Sequence, residues 1–156
     1  MCGKIFAHRG ASKLAPENTM PAFEMAYQLK ADAIETDVQL TKDHIPVLFH
    51  DIRLNRTTNR KGYVKDLTYQ ELSTLDVGSW FSKKFIETPV VSLEDFLTWV
   101  EDKPLTINLE LKNNKVAYKH LEDIVLEMVE HFQVADRTIL SSFNPTSIQR
   151  LAKMTH

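Results

Sequence analysis

Cysteine is nearly missing from this chain: Cys2 is the only one in 156 residues. A single thiol excludes a disulfide framework and a thiolate-held metal cluster. Its place beside the N-terminus, far from the polar residues considered below, argues against a nucleophile. Long apolar runs are missing as well. No window approaches the roughly 18 apolar residues of a spanning helix, and MCGKIFAHRG lacks the apolar stretch of a signal peptide. These absences set a reducing cytoplasm as the expected location and exclude stable membrane insertion. Nor does charge of one sign dominate. Nineteen Lys and Arg against 21 Asp and Glu leave a net −2, which is no footprint for nucleic acid. GxGxxG and GxxxxGK patterns are absent, so neither a dinucleotide site nor a P-loop is expected. There is no low-complexity tract and no internal repeat. What remains, 43% hydrophobic and 26% charged, is ordinary material for a globular domain with a real core.

The pattern of apolar residues is that of strands alternating with helices. Lys4–Ala7 reads as a strand ending on His8-Arg9-Gly10, and Ala11–Asn18 as a loop. Thr19 is placed to cap a helix over Pro21–Lys30, with Pro21 in the first turn, where its missing N–H costs nothing. Ala33–Leu40 then alternates strictly, completing a strand–helix–strand unit and predicting a parallel sheet. Ile45–Phe49 is a further strand, ending directly on His50-Asp51. The rhythm breaks over the next forty residues or so, where a short helix is expected from Thr68, with Glu71 at capping-box distance. So long an interruption reads as an inserted subdomain, residues 52–88, over one end of the sheet. Ser92 caps a helix over Leu93–Val100, and Leu105–Leu111 alternates again. Ala117–Phe132 is the longest helix, Arg137–Leu140 a fifth strand, and Thr146–Met154 a last helix. The fold class is therefore α/β, with the C-terminal strand ends gathered on one face, where ligands bind.

Polar residues stand where a sheet is normally apolar. Period-2 alternation puts Glu35 and Asp37 on one side of their strand, and Glu110 and Lys112 share one side of theirs. Two buried like charges without a counter-ion are expensive, and a cation held by Glu35, Asp37 and Glu110 resolves the cost. Oxygen donors favour a hard ion, Mg²⁺ or Ca²⁺. The alternative is a buried ion-pair network with Arg9 and Lys112. His8 and His50 each follow an apolar strand directly, and imidazoles there can take a proton from a nucleophile and give one to a leaving group. Arg9 and Lys112 suit the non-bridging oxygens of a phosphate. Such a set describes phosphodiester cleavage better than hydride transfer or glycoside hydrolysis. Asp51 either orients His50 or caps the following loop. Trp80, Phe81 and Phe85 are read as core of the insert, with a wall for the substrate's alcohol part as the alternative. His44, His120, His131 and His156 receive no role.

AHRGASKLAPENT, IETDVQLTKDHIPVLFHD, LEDFL and NLELK occur in an order and spacing that resembles the glycerophosphodiester phosphodiesterases, relatives of the bacterial phosphatidylinositol-specific phospholipases C. The resemblance runs through nearly the whole chain. It implies a TIM barrel with an insertion after the third strand. It also implies hydrolysis of glycerophosphodiesters to glycerol 3-phosphate and an alcohol, with one divalent cation. By resemblance His8 and His50 are the acid–base pair, and Arg9, Glu35, Asp37, Glu110 and Lys112 fall on the family's motif positions. The resemblance also implies that Glu17 and Asn18, in the ENT loop, organise the site from behind. Attack by the glycerol hydroxyl next to the phosphate would give a cyclic phosphate that water opens.

One departure is evident. An eightfold barrel takes about 250 residues, whereas this chain holds five or so strands. It is expected to be the N-terminal part of such a barrel, either cut short or with its open edge covered by another chain such as a second copy, and with catalysis impaired or absent while the metal ligands are intact. A related phospholipase, or an inactive metal-binding or structural fragment, are the competing readings.

Overall fold

The computed structural model of the chain describes residues 3–155, so Cys2 and His156 lie outside the described residues. Its centre is β2 (Ala33–Leu40), buried at all eight positions. One edge of β2 pairs in parallel with β4 (Thr106–Leu111), and β4 in turn with β5 (Thr138–Ser142). The other edge is shared. β1 (Phe6–His8) runs parallel to it over Ala33–Glu35, and β3 (Pro46–Leu48) runs antiparallel to it over Val38–Leu40. The parallel order is β1-β2-β4-β5. Among the described residues the sheet does not close, and the arrangement is that of a partial (β/α)8 barrel.

The direction of β3 corrects the expectation that His50 stands at the C-terminal end of a parallel strand. Only Thr41–His44 separates Leu40 from Ile45, and a parallel crossover needs a dozen residues or more. The chain turns back instead, with Ile45 N–H donating to Thr41 Oγ1 at 2.9 Å and Thr41 N–H to the Ile45 carbonyl at 3.1 Å. The outcome still favours a site. β1 climbs the β2 edge and leaves it at Glu35, where Arg9 N–H donates to the Glu35 carbonyl at 2.9 Å. β3 descends the same edge and leaves it at Asp37, where Phe49 N–H donates to the Asp37 carbonyl at 3.0 Å. His8 and His50 thus depart from opposite directions beside the two acids.

Outward-facing Ile34, Val38, Leu40, Ile107, Leu109 and Leu111 meet the helices in one core. α1 (Met20–Gln28) is capped by Thr19, which accepts from Ala22 N–H, and α3 (Leu93–Val100) by Ser92, which accepts from Asp95 N–H. Their fully buried Phe23 and Phe96 touch with ring centroids 4.8 Å apart, each burial stabilising by about 1.5–3 kcal/mol. α4 (Leu121–His131) starts later than its apolar periodicity predicts, because His120 takes a left-handed φ of 63° and breaks the helix there. β5 starts one residue later than expected, since Arg137 closes a 3₁₀ turn and aims its guanidinium at the carbonyls of Val100, Glu101, Lys103 and Leu105. α5 (Pro145–Met154) is capped by Asn144.

Residues 52–88 contain 3₁₀ turns and α2 (Tyr69–Ser73), which has the expected Thr68–Glu71 capping box. Leu54, Val64, Leu67, Leu72, Leu75 and Val77 pack on Val47, Phe49 and Val90 as a second cluster. Trp80, Phe81 and Phe85 are not in it. They stack edge-on at 5.8 Å, and Trp80 stays 41% exposed.

The turn that carries His8 and Arg9 is locked to α1. Gly10 has φ +77°, and a Cβ on it would stand 2.7 Å from the Ala22 carbonyl carbon. Gly10→Ala therefore loses about 2–4 kcal/mol in urea unfolding, from overpacking and left-handed strain together. Gly3→Ala, with nothing within 4 Å, leaves the midpoint unchanged.

Candidate active site

Strand register brings the acids together. Asp37 lies opposite Glu110 and Glu35 opposite Asn108, so both acids of β2 and the one of β4 face the same side. One carboxylate oxygen from each of Glu35, Asp37 and Glu110 lies within 4.8 Å of the others. Glu35 and Asp37 are buried, 8% and 1% exposed. Asp37 Oδ2 accepts from Asn18 Nδ2 at 3.0 Å and stands 3.3 Å from Arg9 Nε. Lys112 Nζ lies 2.9 Å from Glu110 Oε1 and 3.8 Å from Asp37 Oδ1. The ion pairs read as an alternative to a cation site therefore exist, yet they do not satisfy the acids. Among the described residues Glu35 Oε1 is buried with no hydrogen-bond partner, and Arg9 Nε, although close to Asp37, is not aligned to donate to it. Burial, with the Asp37 charge beside it, pushes the Glu35 carboxyl from 4.5 up to about 7. A buried, orphaned carboxylate oxygen that faces two more acids fits a hard divalent cation.

Arg9 and Asn18 hold the loop end of the site in left-handed backbone, both at φ 56°. Asn accepts this conformation readily, whereas Arg at positive φ is uncommon. Asn18 N–H donates to the Arg9 carbonyl at 3.0 Å, and Asn18 Oδ1 accepts from Thr36 Oγ1 at 2.7 Å. Arg9 N–H reaches Glu35 Oε2 at 3.1 Å. His8 Nε2 stands 3.8 Å from Glu35 Oε2, its side chain 66% exposed and open to a ligand. His50 is tethered differently, its Nδ1 lying 2.7 Å from Asp51 Oδ1. Asp51 contacts both His50 and, through Arg56, the loop that follows it.

Arg56 is a residue the sequence pattern gives no reason to single out. Its guanidinium meets Asp51 at 2.9 and 3.0 Å and Glu17 at 2.6 and 3.0 Å, two forked pairs from one side chain. Hydrogen bonding to Arg56 holds the Asp51 carboxyl down at about 2. For Glu17 burial pulls upward, but Arg56 and Arg9 outweigh it and keep the carboxyl below 4.5. The Arg56 guanidinium also lies 5.7 Å from the centroid of the Trp80 ring, so one member of the misplaced aromatic group backs the site. Gln39, on the same side of β2 as the acids, was legible only as part of their alternation. It is wholly buried beside the His50 turn. A cleft of about 530 Å³ opens next to His50 and Lys112, lined further by Arg53, Lys115 and Phe143.

Among the described residues no helix is long and apolar enough to cross a membrane. The profile of the Glycerophosphoryl diester phosphodiesterase family matches residues 8–156. A glycerophosphodiester phosphodiesterase of Bacillus altitudinis is 47% identical over 97% of this chain and 62% of its own length. The crystal structure of a glycerophosphodiester phosphodiesterase from Agrobacterium tumefaciens superposes with a TM-score of 0.90 at 35% identity, covering 98% of this chain and 63% of that one. A phosphodiesterase of Oleispira antarctica, in complex with the product sn-glycerol-3-phosphate, gives 0.90 at 32% identity over 98% and 62%. The chain thus spans a little over three fifths of the length of these relatives. By the extent of these matches, the chain belongs to the glycerophosphoryl diester phosphodiesterase family.

Proposed function

We propose that this chain carries the acid–base and metal half of a site that hydrolyses glycerophosphodiesters to glycerol 3-phosphate and an alcohol. The observation that carries the reading is the orphaned Glu35 oxygen among three converging carboxylates, with His8 3.8 Å from Glu35 and His50 next in sequence to the Phe49 N–H that bonds Asp37. Glu35, Asp37 and Glu110 hold one divalent cation, Mg²⁺ or Ca²⁺. When bound, it supplies charge neutralisation for a phosphoryl group. Arg9 and Lys112 add fixed positive charge for the non-bridging oxygens. His8 and His50 serve as the base and acid pair. One takes the proton of the attacking glycerol hydroxyl while the other donates to the departing alcohol oxygen, and water then opens the cyclic phosphate with the roles exchanged. Glu17, Asn18 and Asp51 act by position: Asn18 steadies Asp37, and Asp51 fixes the His50 ring with Nδ1 engaged. Residues 52–88 are the inserted subdomain that delivers Arg56 to Glu17 and Asp51.

The cation reading fixes the sign of a pH effect. Glu35 titrates near 7 in the fold against 4.5 when free, so over that interval the folded chain keeps a proton the unfolded chain has lost. The cation-free chain then loses stability as pH rises from about 4.5 to about 7, by about 3 kcal/mol. A cation replaces that proton, so the rise in Tm on adding Mg²⁺ or Ca²⁺ is larger at pH 8 than at pH 5. Glu35→Gln flattens the pH dependence and removes the cation-induced shift. An equal shift at both pH values, or one that survives the substitution, contradicts the site.

Turnover gives the second test. With cation present, His8→Ala and His50→Ala each lower kcat for glycerophosphocholine by about 10²–10⁴ and leave cation affinity unchanged. Wild-type chain that binds the cation but releases no choline sinks the enzymatic reading for this chain and favours a metal-binding module.

A further inference from the structure

Gln39 is 0% exposed, on the acid-bearing side of β2 and two residues beyond Asp37. Its side-chain amide is fully spent. Nε2 donates to the Phe49 carbonyl at 2.6 Å and to the Asp51 carbonyl at 2.8 Å, the two carbonyls that flank His50 in sequence. Oε1 accepts from the Tyr118 hydroxyl at 2.8 Å. Burial keeps that phenol protonated by pushing its pKa upward, so it stays a donor. Tyr118 lies six residues beyond Lys112, in the loop that leads from β4 to α4. A single buried amide therefore joins three parts of the site: the strand of Glu35 and Asp37, the turn of His50, and the loop that follows Glu110 and Lys112.

We infer that Gln39, backed by Tyr118, is a positioning residue that sets the backbone of the His50 turn against the carboxylate cluster. The inference rests on the reading of His50 as an acid–base residue. Asp51 fixes the His50 ring through Nδ1 and is itself held through Arg56 to Glu17, but these are side-chain contacts and leave the backbone of the turn to other bonds. β3 ends at Leu48, and the ladder with β2 gives out with the Phe49 N–H bond to Asp37; the next backbone pairing comes only at Ile52, which accepts from Val64 N–H, and at the Arg53–Tyr63 bridge. The two Gln39 donations take over at that point. A merely satisfied core amide would need two acceptors of any kind. Here both are the carbonyls on either side of the imidazole-bearing residue, and the third partner comes from the loop of the opposing strand. Displacing His50 by an ångström costs rate without costing affinity, because proton transfer depends on near-attack geometry.

The test reads His50 directly and needs no turnover, so its failure stays separate from a failure of the proposed activity. Imidazole ¹H–¹⁵N spectra of ¹⁵N-histidine-labelled chain give one set of His50 signals, assigned by their loss in His50→Asn. In Gln39→Leu those signals broaden or split by exchange between turn conformers, while the His8 signals stay as they were. Tyr118→Phe, which keeps both Gln39 donations and opens little space, shifts His50 in the same direction by less. Where the chain turns over, Gln39→Leu lowers kcat about a hundredfold, with KM and Mg²⁺ affinity close to wild type. Unchanged His50 signals in folded Gln39→Leu overturn the inference. Should that variant not fold, unchanged His50 signals in Tyr118→Phe overturn it.

Discussion

Among the described residues, three carboxylates on two neighbouring strands face two fixed cations, Arg9 and Lys112, and this imbalance governs much of the rest of the structure. Like charges this close and this buried do not all ionise in a dry environment. The fold spreads the burden unequally. Asp37 receives Asn18, Arg9 and Lys112, and Glu110 receives Lys112. Glu35 receives the Arg9 backbone on one oxygen and, among the described residues, no donor on the other. It is the group that burial pushes toward neutrality. A proton or a cation can complete it, and these two occupants compete for the same oxygen.

Around that imbalance the scaffold is arranged for convergence. β1 and β3 share one edge of β2 and quit it within two residues of each other, at Glu35 and Asp37. The strained Arg9 backbone and the lock of Gly10 against α1 fix one approach. Asp51, Arg56 and Glu17 fix the other through a forked chain of ion pairs that ties the 52–88 segment to the ENT loop. Storing strain and buried polar contacts at such a point is typical of functional sites, where the surrounding structure over-determines the geometry.

Much of this was legible in the residues because it follows from strand periodicity. Alternation alone placed Glu35 with Asp37, and Glu110 with Lys112, and the caps Thr19, Thr68 and Ser92 stand where local chemistry puts them. The direction of β3 was legible too, in the four residues Thr41–His44, but strand–helix rhythm favoured a parallel reading over that short turn. The start of α4 was hidden by an apolar stripe that continues through a left-handed residue. Arg56 could not be read at all. It is one arginine in a run of polar residues, and its partner Glu17 is 39 positions away, so only the folded chain brings them together. Aromatic content suggested core for Trp80 as well, whereas the second cluster is built from aliphatic side chains such as Leu54, Val64 and Leu72 and leaves Trp80 exposed.

Diffraction from crystals soaked in Mn²⁺, collected at the manganese edge, tests most directly whether the acid cluster is a cation site or a closed ion-pair network. The account predicts one anomalous peak bounded by an oxygen from each of Glu35, Asp37 and Glu110, with Glu35 Oε1 among its ligands. No peak there, with Glu35 Oε1 turned onto Arg9 or Lys112 instead, would contradict it.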